Sequence, residues 1–161
     1  MRSEELAYEI RKNAIKMVNH AHASHLGGIL SCADAIAVLY AEVAHINPKN
    51  PKDPKRDRIV LSKGHNGAAI YVALAKMGFF NEELLKTYGD NGGIFSCHIS
   101  HKEVPGVEVS TGSLGQGVCM ACGFAIAAKR KKESHKIYAI VGDGECDEGS
   151  VWEMALLAAQ E

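Results

Sequence analysis

Four carboxylates lie within one short stretch bounded by glycines, Gly142-Asp143-Gly144-Glu145-Cys146-Asp147-Glu148-Gly149. The stretch follows an apolar run, so we predict a loop at the carboxyl end of a strand, where open α/β sheets bind ligands. Asp143 would supply an oxygen to Mg²⁺ while the metal also holds phosphate groups, the usual arrangement for this ion. The alternative is a polar turn whose acids favour the start of the next helix. An EF-hand is excluded, because Glu148 and Met154 stand where that loop needs glycine and glutamate.

Two further segments have the composition of ligand-binding loops. Ser62-Lys63-Gly64-His65 follows a predicted strand, and the glycine cluster Ser110–Gly117 precedes a predicted helix. Backbone N–H groups at a helix N-terminus can hold an anion, and glycines let it approach closely. The known nucleotide motifs do not fit: Val118 follows Gly117 where a Walker A motif needs lysine, and Leu114 replaces the second glycine of a dinucleotide fingerprint.

Three histidines fall in glycine-rich or irregular segments, namely His25, His65 and His98. A single loop histidine is more often a surface or core residue than a catalytic one. Three of them near predicted ligand-side loops shift the balance moderately towards a site with acid–base groups.

The five cysteines are scattered and odd in number, which favours reduced thiols over a disulfide framework. Cys97-His98, His101 and Cys119-x-x-Cys122 leave zinc as an alternative. It is disfavoured, because Cys119 and Cys122 fall inside a predicted helix.

Length and composition indicate a globular protein of one domain. The chain has 161 residues, 47% of them hydrophobic and 23% charged, with a formal net charge of −1. This charge gives no reason to expect nucleic acid or an anionic membrane as a partner. No apolar run approaches the roughly 20 residues of a membrane span, and the first nine residues contain no apolar signal-peptide core. We therefore expect a cytoplasmic location.

Strand–loop–helix units predict an α/β domain over residues 1–161, with a mainly parallel sheet flanked by helices. Ser31 and Asp34 resemble a capping box that opens an apolar helix to about Ala44. Residues 89–111 show no periodicity. Because the sequence ends within an apolar helix, we expect the domain to be incomplete at its C-terminus. The predicted strands are 58–61 and 137–141, and the second is apolar throughout, so we expect both of its faces to be covered. The other predicted helices begin near Ser3, Asn66, Asn81, Leu114 and Ser150.

Taken together, five motifs resemble the transketolase family, in order and over nearly the whole chain. Gly142–Gly149 resembles the opening of that family's thiamine-diphosphate motif, and Pro105–Gly117 is similar to its corresponding segment almost letter for letter. The other three motifs are Ser24–Gly28, Asp57-Arg58 and Leu61–His65.

The resemblance implies thiamine diphosphate and Mg²⁺ as cofactors, in a pyrophosphate-type binding module. Asp143 is similar to the residue that ligates the metal, His65 to one that contacts the diphosphate, and Gly144 to one whose backbone approaches it. Gly112 and Leu114 resemble residues that lie against the thiamine rings. The full expected cofactor-binding set is His65, Gly112, Ser113, Leu114, Gly142, Asp143, Gly144 and Glu145.

The resemblance also implies the transfer of a two-carbon ketol unit from a ketose to an aldose, with the cofactor as electron sink. His25 and His98 match histidines that line the substrate channel and follow the charge on the sugar oxygens. Glu148 matches an acid at a dimer interface, in a network that links two active sites. We therefore expect His25, His98 and Glu148 to be the catalytic residues.

The chain departs from the family pattern in two ways. Leu26 and Ile99 replace prolines beside the first and third histidines, which indicates an unusual sugar or sugar phosphate. The later asparagines of the motif are absent, as is the glutamate that activates the aminopyrimidine. That glutamate belongs to a pyrimidine-binding domain, so we expect a C-terminal partner subunit in a dimer or heterotetramer, and no activity without it. The alternatives are a non-catalytic anion-binding α/β module and an inactive fragment.

Overall fold

Apolar residues at helical spacing form the first helix, α1 (Ser3–His20). The Glu5 side chain accepts a hydrogen bond from the Arg2 N–H at 3.2 Å, which satisfies a donor just outside the helix. Leu6 and Ile10 are fully buried and turn one face of α1 towards the core. This helix agrees with the one predicted from Ser3.

The computed structural model describes residues 1–161. None of its helices combines the length and the apolar character that crossing a lipid bilayer requires. A π-helical turn spans Leu39–Val43, and 3-10 turns span Gly64–Asn66, Glu82–Thr87 and Gly144–Asp147. The regular elements after α1 are α2 (Leu26–Ser31), α3 (Ala33–Val38), β1 (Arg58–Leu61), α4 (Gly67–Lys76), α5 (Gln116–Arg130), β2 (Ile137–Ile140) and α6 (Gly149–Gln160).

The two strands pair in parallel, with Ile59 opposite Tyr138 and Leu61 opposite Ile140. Ile59 and Leu61 belong to the core formed with α1, α3 and α4, and the partly buried Tyr138 and Ile140 pack against it. Successive side chains of a strand point to opposite faces, so Val60 faces the other side, where α5 packs on both strands. The fold is therefore α/β with a parallel sheet between helices, as the sequence predicts.

The second strand is less covered than its apolar sequence predicts. β1 is buried at three of its four positions, whereas no residue of β2 is buried. Helix α6 has no buried residue, and Trp152 and Leu156 are 64% and 70% exposed. The expectation that both faces of β2 are covered is thus wrong for this chain.

Two helix boundaries also differ from the predictions. Ser31 does not cap a helix, because its hydroxyl donates to the Gly28 carbonyl at 2.8 Å within α2. Asp34 instead forms an ion pair with Arg11 of α1 at 2.9 Å. The predicted capping box is therefore absent, and Asp34 links α3 to α1. Helix α5 begins at Gln116 rather than Leu114, since Gly115 adopts the left-handed conformation at φ +78°.

The long irregular segment between residues 89 and 111 is held by specific contacts. Phe95 packs on Tyr71 of α4 at 4.8 Å between ring centroids, and both residues are buried. The Tyr71 hydroxyl accepts a hydrogen bond from the Ser100 N–H at 2.9 Å. Glu108 forms a two-point ion pair with the buried Arg56 guanidinium. These contacts replace the hydrogen bonds of regular structure and fix the segment against α4 and against the residues that precede β1.

Candidate functional site

Three loops meet at the carboxyl end of the sheet. Residues 62–66 follow β1 and residues 142–148 follow β2, so parallel pairing places both loops at the same edge. The segment before α5 joins them, because the Thr111 hydroxyl donates to the Leu61 carbonyl at 2.5 Å. A Cβ on Gly64 would lie 2.3 Å from the Thr111 carbonyl oxygen, so only glycine allows the two segments to approach this closely.

The structure brings together the three histidines that the sequence singles out. The ring centroid of His25 lies 5.0 Å from that of His65 and 5.6 Å from that of His98. The His98 ring also lies against Gly112, where an added Cβ would be 3.3 Å from the imidazole Cδ2. His25 and His98 are exposed and His65 is half-buried, so the rings line an open surface.

His25 adopts a backbone conformation that few non-glycine residues use. Its φ is +76° and its ψ is +11°, at the position just before α2. A left-handed residue costs about 1–2 kcal/mol, and such outliers cluster at functional sites. The strain thus occurs at the residue whose ring contacts both other histidines.

Burial and the neighbouring groups disfavour the charged form of His65. Burial lowers the pKa of the His65 imidazole and the neighbouring His25 lowers it further, while the Glu145 carboxylate acts in the opposite direction. Lys63 also lowers this pKa, and Lys63 is 9% exposed and takes part in none of the ion pairs. Lys63 is not among the residues predicted from the sequence, although a lysine two positions after a buried strand is itself a signal of a functional group. A bound anion would offset the positive charge of the Lys63 ammonium.

The lowered pKa of His65 predicts a loss of stability in mild acid. The unfolded chain takes up this proton near the ordinary histidine value of about 6.5, while the folded chain takes it up only at lower pH. Between these values the unfolded state binds more protons, so the free energy of unfolding should fall as the pH drops through this window. Urea unfolding at pH 7.5 and 5.5 should show a smaller fall for His65→Gln than for the wild type. His22 is exposed and takes part in no ion pair, so His22→Gln should keep the wild-type fall. An equal fall in His65→Gln would contradict the assignment.

The carboxylate loop exposes its first two residues after Gly142. Asp143 and Gly144 are both exposed, and a Cβ on Gly144 would meet no atom within 4 Å. A ligand can therefore approach the Gly144 backbone closely. No group of three or more histidine, cysteine, aspartate or glutamate side chains is arranged to hold a metal ion. A single exposed carboxylate such as Asp143 is compatible with Mg²⁺, which proteins usually bind through one or two carboxylates together with phosphate oxygens.

The remaining expected residues occupy different positions around this loop. Ser113 is exposed and Leu114 is half-buried. Glu148 is exposed, and its Cβ would lie 3.1 Å from a Cβ on Gly115. Glu145 differs from its neighbours, because it is 2% exposed and its carboxylate oxygens accept three hydrogen bonds from the protein.

The structure does not bring the cysteines together into a cluster of zinc ligands. All five are free, and Cys119 and Cys122 lie within α5 as the sequence predicts. The Cys119 thiol donates to the Gly115 carbonyl at 3.0 Å, one turn earlier in the chain. With no metal-holding group of side chains present, the zinc alternative has no support.

Comparison with known proteins identifies the family. A sequence profile described as "Transketolase, thiamine diphosphate binding domain" matches residues 2–161. This chain belongs to the transketolase family. Transketolase from Campylobacter jejuni superposes with a TM-score of 0.90 at 37% identity, over 96% of this chain and 26% of that one. Transketolase from Leishmania mexicana gives a TM-score of 0.89 at 33% identity, over 98% of this chain and 25% of that one.

Some relatives within the transketolase family are separate subunits. One subunit of the apulose-4-phosphate transketolase from Phocaeicola vulgatus is 45% identical over 93% of this chain and 53% of its own length. The 6-deoxy-6-sulfo-D-fructose transketolase subunit SqwG from a Clostridium species is 44% identical over 92% of this chain and 54% of its own length. This chain thus spans about half the length of these subunits.

Proposed function

We propose that this chain is the front part of the thiamine-diphosphate-binding subunit of a two-subunit transketolase. The assembled enzyme would transfer a two-carbon ketol unit from a ketose to an aldose, in the cytoplasm, with Mg²⁺ as the divalent ion. The observation that carries the proposal is the convergence of His25, His65 and His98 with the glycine segment at Gly112, at the carboxyl edge of the parallel sheet.

The loops of this chain suit a diphosphate tail and its metal. Asp143 would ligate Mg²⁺, and the open space at Gly144 would admit the diphosphate close to the backbone. Lys63 supplies positive charge on the β1 side of the same edge, and the half-buried His65 imidazole would hydrogen-bond the diphosphate there. Gly112, Ser113 and Leu114 would bound the ring end of the cofactor. When bound, the cofactor supplies the electron sink for the two-carbon unit.

The two exposed histidines would act on the sugar. His25 and His98 lie edge to face at 5.6 Å between centroids, with their rings accessible to a ligand. Imidazoles exchange protons near neutral pH, so this pair can donate to a carbonyl oxygen or accept from a hydroxyl as charge changes there. Leu26 and Ile99 beside these histidines would shape the pocket for the sugar.

A partner subunit is part of the proposal. The relatives named as subunits imply that transketolases can be divided between chains, and this chain has the cofactor-binding part. The partner would carry the pyrimidine-binding domain, in a dimer or heterotetramer, and Glu148 is exposed where a second chain could reach it. Sugar phosphates are the substrate class we expect.

Calorimetric titration and a turnover assay test the proposal together. The full chain is titrated with thiamine diphosphate and Mg²⁺, with and without the C-terminal transketolase subunit encoded nearest to it, and then supplied with ketose and aldose phosphates. Binding with turnover only in the presence of that partner supports the proposal. Binding without turnover under every condition would indicate a non-catalytic module, and no binding at all would indicate an inactive fragment. Either of these results would overturn the proposal.

A further inference from the structure

We infer that Glu145 is a positioning residue that fastens the three ligand-side loops to one another and does not touch the ligand. The inference assigns Glu145 a different role from the cofactor-binding one that the sequence resemblance implies. The inference rests on the proposed function only for the identity of the ligand, since the contacts themselves lie within the protein.

Each hydrogen bond of the Glu145 carboxylate reaches a different loop. Oε1 accepts from the Ser62 hydroxyl at 2.5 Å and from the Gly115 N–H at 2.8 Å. Oε2 accepts from the Gly142 N–H at 2.9 Å. Ser62 follows β1, Gly115 precedes α5 and Gly142 follows β2. One carboxylate therefore connects the loops that carry His65, Gly112 and Asp143.

Ser62 extends the connection to the start of α5. Its hydroxyl oxygen accepts a hydrogen bond from the Val118 N–H at 2.8 Å, one of the first N–H groups of that helix. A Cβ on Gly117 would lie 2.5 Å from the Ser62 Cα, so the helix starts directly against the loop. The Ser62 hydroxyl thus donates to Glu145 and accepts from α5, and it is fully buried.

Burial and three hydrogen bonds within the protein keep the Glu145 carboxylate away from a ligand. The residue is 2% exposed, whereas Asp143 and Gly144 beside it are exposed. Its partners are neutral donors rather than cations, and buried N–H groups are costly to leave unpaired. Because Gly142 directly precedes Asp143, its hydrogen bond to Glu145 fixes the backbone from which the Asp143 carboxylate projects.

The isosteric variant Glu145→Gln tests the hydrogen bond from Gly142 separately from those of Ser62 and Gly115. With its oxygen at the Oε1 position, glutamine keeps the bonds from Ser62 and Gly115, and its NH₂ group then opposes the Gly142 N–H, donor against donor. We expect amide hydrogen exchange at Gly142 to become faster by about tenfold or more, as the loss of one hydrogen bond to a charged group implies. Exchange at Gly115 should change less, and the amides of α4 should keep their protection.

The same variant should weaken Mg²⁺-dependent binding of thiamine diphosphate by about tenfold, since Asp143 loses its fixed position. The matched control is Glu153→Gln on α6, which is exposed and should change neither exchange nor affinity. Exchange is measured by NMR on the full chain without ligand, and affinity by calorimetry.

The exchange result decides the inference. Unchanged protection of Gly142 in folded Glu145→Gln would overturn it, and a fall in affinity with that protection intact would mean that Glu145 contacts the ligand directly. Faster exchange at Gly142 in the variant, together with a wild-type chain that binds no thiamine diphosphate, would support the inference and defeat the proposed function. Should Glu145→Gln not fold, Ser62→Ala tests the other end of the connection: exchange at Val118 should rise while Gly142 stays protected, and unchanged exchange at Val118 would contradict it.

Discussion

Replacing Asp143 by alanine is expected to abolish Mg²⁺-dependent binding of thiamine diphosphate, with a loss of affinity of at least about 100-fold. Even the loss of a group that only orients a metal ligand costs roughly 10–100-fold, and Asp143 would be the ligand itself. The neighbouring Glu145 carboxylate cannot take its place, because its oxygens already accept three hydrogen bonds within the protein. Calorimetric titration of wild type and variant, with and without Mg²⁺, measures the effect.

The control for Asp143→Ala is Asp147→Ala in the same loop. Both side chains are exposed, so neither variant should change the free energy of unfolding by more than about 0.5 kcal/mol. Asp147→Ala should retain cofactor affinity, which separates a specific metal ligand from the general negative charge of the loop. If Asp143→Ala binds as tightly as the wild type, the metal assignment is wrong and the loop is a polar turn before α6.

The location of the site could be predicted from the sequence because it depends on local rules. The apolar runs at 58–61 and 137–140 form the strands, and a parallel pair places the following loops at one edge. The histidines at 25, 65 and 98 could be expected there, since each lies in a segment without regular periodicity. Their measured proximity adds the geometry that spacing alone does not contain.

The roles of two side chains could not be predicted, because they depend on which way each side chain points in the folded chain. Glu145 stands in a loop with three other acids, and only the fold shows that it alone turns inward, to meet Ser62 from 83 residues earlier. Asp34 likewise reads as a helix cap, and its bond to Arg11 comes from the packing of α3 on α1. In each case the long-range partner is far away in sequence and outside any local pattern.

Coverage of an apolar segment is also a tertiary property. The sequence of β2 resembles a buried strand, yet in this chain no residue of it is buried, and no apolar side chain of α6 is buried either. An apolar segment gains free energy when it is buried. Whether it is buried depends on the elements that pack against it, and these are not encoded in the segment itself.

Substituting His98 by alanine should lower kcat by roughly 10²–10⁴-fold, the range typical of a lost general acid or base, and leave cofactor affinity nearly unchanged. The backbone at this position is held independently of the imidazole, because the His98 carbonyl accepts hydrogen bonds from the Ser96 hydroxyl at 2.6 Å and from the Tyr71 hydroxyl at 3.4 Å. The adjoining Gly112 is anchored through the Thr111 N–H, which donates to the Ile99 carbonyl at 3.2 Å. Loss of the ring should therefore remove a proton-transfer group without moving the loops.

Steady-state kinetics of the assembled enzyme, together with calorimetric affinity for thiamine diphosphate, separate the two effects in His98→Ala. The control is His20→Ala. His20 is exposed at the end of α1 and pairs with Asp90, so this variant should affect neither quantity. A large loss of kcat with intact affinity places His98 on the sugar, since the missing interaction then acts in the reaction and not in cofactor binding. The reverse pattern, weak binding with normal turnover at saturating cofactor, would move His98 into the cofactor site and leave His25 alone to serve the sugar.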